Sequence, residues 1–149
     1  MSANYAARIG ALFYVLWGLV HILGGTAMLH ASQNPPEFIS MLSGVQADSA
    51  NAPADMELIS KNVFAFHSFN IAWMGVLAVS IAALLNWKNS GAGFWINLSL
   101  VGLADTGLII FMVIPGVIKI SDAWIGPTLF AFALAFSVRG RLTAHKSTV

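Results

Sequence analysis

The chain has 149 residues, 58% of them hydrophobic and 9% charged, with a net charge of +1 and a mean hydropathy of +0.78. This composition describes one compact membrane domain over residues 1–149, leaves no soluble domain of useful size, and carries too little basic charge for a nucleic-acid footprint. Cysteine is absent, which excludes structural disulfides, thiolate nucleophiles, iron–sulfur ligation and covalent haem attachment.

The first apolar segment runs from about Ile9 to Leu29. It exceeds the apolar region of a signal peptide, and Leu29 fits poorly two positions before a cut after Ala31, so a retained span is expected. The connection from Ala31 to Asn62 is long for a helix–helix link. In it, Asn34, Pro35 and Pro36 read as a stop and turn, and Phe38, Ile39, Met41, Leu42 and Val45 as a short interfacial helix able to act as a lid over the bundle mouth. Asn51, Pro53, Asp55 and Glu57 read as a helix start, which extends the second helix outward from its membrane portion.

The second span is expected over Val63–Trp87 and the third over Phe94–Ile114. The fourth is shorter, from Asp122 or Ala123 to Val138, with Ser121 or Asp122 as N-cap and Pro127 tolerated near the first turn. At about 1.5 Å per residue the first three cross a hydrocarbon core of about 30 Å, and the fourth is marginal. With four spans both termini share a side. That side carries Arg8, Lys88, Arg139, Arg141 and Lys146 against Lys61 and Lys119 opposite, five against two, which places both termini in the cytoplasm. The expectation is an all-α integral membrane four-helix bundle, of bacterial inner-membrane type, with a long outward-facing connection between helices 1 and 2.

Four polar residues lie inside these apolar runs: His21, His67, Asn70 and Asp105. An Asp at the centre of a membrane helix costs about 2.5–3.5 kcal/mol on insertion scales, so each such group must find a partner or perform work. His21 follows Arg8 by thirteen residues, about 20 Å, and His67 follows Lys61 by six, about 9 Å, on a helix running the other way. Both histidines thus reach similar depth in the outer half. Asn70 lies one turn below His67 on the same face, Met74 one turn further, and Asp105 near the middle of the third helix. Thr106, Asn97, Ser99 or a histidine are the partners that Asp105 has to hand. Gly102, Gly107, Gly116 and Gly126 read as close-packing positions. Trp87, Trp95 and Trp124 read as interfacial anchors, while Trp17 and Trp73 fall deeper. His30 and His145 lie outside the spans and have no assigned role.

Matched histidines on antiparallel helices suit a b-type haem, with His21 and His67 as candidate ligands and Gly18, Gly24, Gly25, Ala65 and Gly75 as small residues making room. One histidine alone would leave an open iron position for an oxygen-bearing substrate. Four histidines in all are too few for a membrane di-iron hydroxylase, no H-E-x-x-H run occurs, and Ser68 projects to a different face from His67. No duplicated halves of the transporter type are visible.

At His67–Ser68, after a long outward connection and at the opening of the second of four short spans, the chain resembles the styrene oxide isomerase family. That family consists of small four-helix membrane enzymes with a b-type haem held by a histidine in a His-Ser stretch, and it isomerises a lipophilic epoxide. The resemblance implies His67 as iron ligand, Asp105 as counterpart of an acidic residue in the family's third span, and a homo-oligomer with haem near subunit contacts. Phe66 stands where the family has Ala, and Phe69–Asn70 where it has Gly-Pro. The family asparagine six residues after the histidine falls on Trp73, so Asn70 is not its match.

The expected function is binding of a b-type haem or a small lipophilic ligand in an intramembrane pocket. Isomerisation by Lewis-acid activation of a bound oxygen is the expected chemistry. His67 would ligate iron or act as acid/base, Asp105 would orient or polarise, and Asn70 would hydrogen-bond the substrate. The alternative is an accessory or structural membrane subunit in which these residues only hold helices together.

Overall fold

The computed structural model describes residues 2–43 and 54–146. Among them every regular element is helical: α1 (Ala3–Ala31), α2 (Pro35–Ser43), α3 (Ala54–Leu84), α4 (Gly91–Leu108), the short α5 (Ile120–Ala123) and α6 (Ile125–Lys146). A 3₁₀ turn, Asn86–Lys88, links α3 to α4, and a π turn, Ile109–Val113, continues α4. Three stretches are long and apolar enough to cross a membrane: Ala3–Ala31, Glu57–Lys88 and Gly91–Val113. Their outer surfaces are apolar too, with Leu23, Phe66, Leu103 and Phe111 all exposed, as befits helices whose solvent is hydrocarbon.

Helix α1 is the centre of the bundle, packed most extensively against α3 on one side and α6 on the other. Small residues make both contacts possible. A methyl group at Gly18 would lie 2.6 Å from the Gly75 carbonyl oxygen, and one at Gly25 would lie 2.6 Å from the Ala72 amide nitrogen, so α1 and α3 meet backbone to backbone. Towards α6, Gly10 closes on Ser137 and Gly140 on Ala7. Tyr14 and Trp17, both fully buried, fill the core between these contacts. By contrast α4 touches α3 and α6 over few residues.

Both ends of the described chain meet at one end of the bundle. The Arg8 guanidinium lies 5.5 Å above the Trp87 ring, Asn89 Nδ2 donates to the Gly140 carbonyl (3.2 Å), and Arg141 donates to the Asn89 carbonyl (3.2 Å). Asn89 adopts the left-handed region (φ 55°), which reverses the chain before Ser90 opens α4.

Several boundaries differ from expectation. The second helix starts at Ala54, just beyond Pro53, as its acidic first turn predicts, but ends at Leu84 rather than Trp87. Leu85 and the Asn86–Lys88 turn bend the chain there. The third span opens into a π turn because Pro115 cannot donate a backbone hydrogen and crowds the carbonyl one turn back; Ile114 N–H bonds to Ile109 C=O across it (2.9 Å). Ser121 and Asp122 do not cap the last long helix. They lie within α5, which Lys119 caps, and the chain breaks at Trp124 before α6 begins at Ile125 and runs on to Lys146. Its apolar run, Ile125 to Val138, is fourteen residues, or about 21 Å, shorter than a bilayer core of about 30 Å. The expected short helix of the connection is present as α2, where buried Phe38 stacks on Phe64 of α3 at 4.2 Å; Val45, Asn51 and Pro53 lie outside the described residues.

Because the α1–α3 contact is backbone on backbone, Gly75→Val should push the helices apart and cost about 1–3 kcal/mol of stability. Gly24→Ala, whose added methyl meets no atom within 4 Å, should change it by less than about 0.5 kcal/mol. Unfolding in detergent mixtures, followed by circular dichroism, measures both.

Candidate functional site

A cavity of about 420 Å³ opens between α1, α3 and α4, and His21, His67, Asn70 and Asp105 all line it. The rest of its wall is apolar, including Ile71, Met74, Leu108 and Met112. That volume and lining suit a small ligand, since such sites run from about 300 to 1,000 Å³ with few polar groups. The cavity owes its position to the fold: glycines seal α1 against α3 on one side, so the outward-turned histidines and the sparsely packed α4 leave space on the other.

Asp105 is buried, with 3% of its surface exposed. Its partner is Trp17, whose indole N–H donates to both carboxyl oxygens at 3.2 Å. None of the partners expected from the sequence reaches it. Asn97 is committed elsewhere, donating to Asn86 Oδ1 (2.9 Å) and the Ala78 carbonyl (3.4 Å), while Thr106 and Ser99 are exposed. Neither histidine bonds to Asp105 among the described residues. A carboxyl group can accept about four hydrogen bonds, so capacity remains for a ligand.

His21 is half-buried and stacks on the Trp17 indole, with ring centroids 3.5 Å apart and planes 18° from parallel. Its Nδ1 donates to the Trp17 carbonyl at 2.8 Å; a carbonyl only accepts, so Nδ1 carries the hydrogen and Nε2 is left as the acceptor of a neutral ring. Gly126, at the start of α6, closes over this group. A methyl there would lie 3.1 Å from Asp105 Oδ1, 3.4 Å from His21 Cε1 and 3.6 Å from Trp17 Nε1.

On α3, Trp73 Nε1 donates to Asn70 Oδ1 at 2.8 Å. An indole N–H only donates, so the contact fixes the amide with its oxygen on Trp73 and leaves the amide N–H₂ free to donate to a ligand. His67 is exposed at the cavity, and among the described residues neither of its ring nitrogens has a partner. Ser68 turns away: it is buried against Gly25, and its hydroxyl donates to the Phe64 carbonyl of its own helix at 2.7 Å.

Sequence reasoning missed three contributors. Trp17 supplies the donor to Asp105, and its four-residue spacing from His21, which puts both on one helical face, was the available signal. Ile118, buried after the chain turns at Gly116 (φ 78°), walls the cavity from the link between α4 and α5. The π turn sets Phe111 and Met112 into the same wall. The expected lid, α2, contributes none of the described lining residues.

The room expected for a haem clamped between α1 and α3 is not there. Gly18, Gly25 and Gly75 are filled by the opposing helix backbone, and Gly24 opens elsewhere with no atom within 4 Å of an added methyl. A single axial bond needs one unpartnered ring nitrogen, and both His67 and, at Nε2, His21 offer one. Among the described residues no group of three or more metal-ligating side chains converges.

No family model matches the chain, and no characterised protein or solved structure is similar to it.

Trp17→Phe should leave buried Asp105 without a protein donor and destabilise the fold by about 1–3 kcal/mol. Adding Asp105→Leu should recover most of the loss, because removing both partners is far less costly than removing one. A double-mutant cycle of unfolding free energies measures the coupling.

Proposed function

We propose that this chain is a four-span membrane protein, with both termini cytoplasmic, whose intramembrane cavity binds a small lipophilic ligand through an oxygen-bearing group. One observation carries the reading: the polar residues of the apolar helices, His21, His67, Asn70 and Asp105, share a single cavity of ligand size. Each keeps hydrogen-bonding capacity that the protein does not use. The clustering of Arg8, Lys88, Arg139 and Arg141 at the end where the termini meet supports the orientation. In this reading α6 crosses with its short apolar run, and assembly as a homo-oligomer follows from the resemblance to styrene oxide isomerases.

The donor set suits an isomerisation, which needs no second substrate. The Asn70 amide N–H₂ donates to the ligand's oxygen, His67 exchanges a proton with it, and Asp105, oriented by Trp17, accepts a hydrogen bond from the ligand or stabilises developing positive charge. The second form of the reading places a b-type haem on His67 alone, favoured by that ring's unpartnered nitrogens. When bound, the haem would supply Lewis-acid activation of the ligand's oxygen.

Gly107 lines the cavity, and a Cβ added there meets no atom within 4 Å, so Gly107→Phe can start into open space and should place its ring in the site. Organic extracts of the purified wild type should contain a lipophile in near-equimolar amount that Gly107→Phe protein lacks. The haem form adds a Soret band that is lost in His67→Ala and kept in His30→Ala. A colourless wild type from haem-supplied cells removes the haem form. If its extract also matches that of Gly107→Phe, the polar residues serve only to hold helices together, as in an accessory subunit.

A further inference from the structure

A second space adjoins the cavity. A groove of about 720 Å³ runs between α3 and α4, lined by Leu77, Trp95, Ile96, Leu100 and other apolar residues, with Ser99 as its one polar member. Met74, Leu103 and Ala104 line both spaces, so the two share a wall. We infer that cavity and groove form one site for a neutral, single-chain amphiphile, its oxygen-bearing head among His67, Asn70 and Asp105 and its aliphatic chain along the α3–α4 groove. This inference rests on the cavity reading above and names the ligand class for it.

Depth argues for a neutral head. Asp105 lies fourteen residues from Gly91 and eight from Val113, the limits of the third membrane-length stretch, which is about 21 Å and 12 Å along the helix. A phosphate or ammonium headgroup would have to leave water to reach it, at the cost that keeps charges out of hydrocarbon. An alcohol, aldehyde, ketone or epoxide carries only an oxygen, which the free donors and acceptors of the cavity can satisfy. Length argues for a chain. From Ala104, at the shared wall, to Trp95 the groove follows α4 for nine residues, about 13 Å, the reach of a medium-length alkyl chain lying along the bilayer normal. Sparse packing of α4 on α3 leaves that space open rather than filled by side chains.

Photo-labelling of the wild-type protein in lipid nanodiscs tests the inference with two probes, decanol bearing a diazirine beside the hydroxyl and decanol bearing it at the chain end. Adducts are located by peptide mass spectrometry, with unlabelled decanol as competitor. The head probe should modify cavity residues such as Met112 and Asn70. The tail probe should modify Trp95–Leu100 about tenfold more than the lipid-facing residues Leu16 and Leu23 of α1, a ratio equivalent to a tenfold difference in occupancy. Ser99→Trp, which fills the groove, should abolish tail adducts there and leave head adducts in place. Tail adducts spread evenly over α1 and α4, with head adducts still in the cavity, would overturn the single-site inference alone. Head adducts that avoid the cavity, or that persist there in Gly107→Phe, would overturn the cavity reading itself.

Discussion

The hydrogen bond from Trp17 to Asp105 holds the site together. It joins the central helix α1 to α4, the membrane-length helix with the least packing of its own. Hydrocarbon offers a carboxyl group no alternative donor, so a contact of modest worth in water decides where Asp105 points. The rest of the group follows from it. The Trp17 indole reaches α4, His21 stacks on its face, and Gly126 lets α6 pass close over all three, where an added methyl would come within 3.1 Å of Asp105.

The neighbouring face of α1, against α3, is governed by a different constraint. In a membrane there is little hydrophobic gain in bringing helices together, and close approach of backbones supplies the attraction instead. Gly18, Gly25 and Gly75 provide it, and in doing so they leave no room for anything else in that seam. Tight packing on the glycine side and open packing on the α4 side are thus two consequences of the same distribution of small residues.

Much of this was legible in the sequence. Apolar runs of bilayer length mark α1, α3 and α4, and the turn from 3.6-residue spacing to depth, counted from Arg8 and Lys61, brings His21 and His67 to similar depth with Asn70 one turn below, and all three line the cavity. The reason is that a membrane helix offers only two variables, depth and face, and both can be counted. What could not be counted is which residue on one helix meets which on another. Asp105 was assigned partners by nearness in sequence or by polarity, whereas its donor came from an aromatic residue 88 positions away. The same limit hid the role of the glycines, since a small residue reads equally well as room for a cofactor and as room for a neighbouring backbone. The π turn was hidden for a local reason: Pro115 announces the end of a helix without stating how the turn before it adjusts.

A purely structural role for these polar residues predicts that their hydrogen bonds be mutually satisfied, because each unmet group in hydrocarbon carries a cost. Asn97 and Asn86 come close to that arrangement, bonded side chain to side chain in the core, with only Asn97 Oδ1 left without a partner there. The cavity residues differ. Trp17 and Trp73 each meet one acceptor, on Asp105 and Asn70, and each does so through an indole that can only donate, which orients its partner without saturating it. What remains directed at the cavity is a complementary set: an amide donor on Asn70, acceptor capacity on Asp105, and a ring on His67 able to do either. In the reading proposed above, a set of that kind, held in position by groups that cannot themselves exchange a proton at neutral pH, meets the ligand rather than itself.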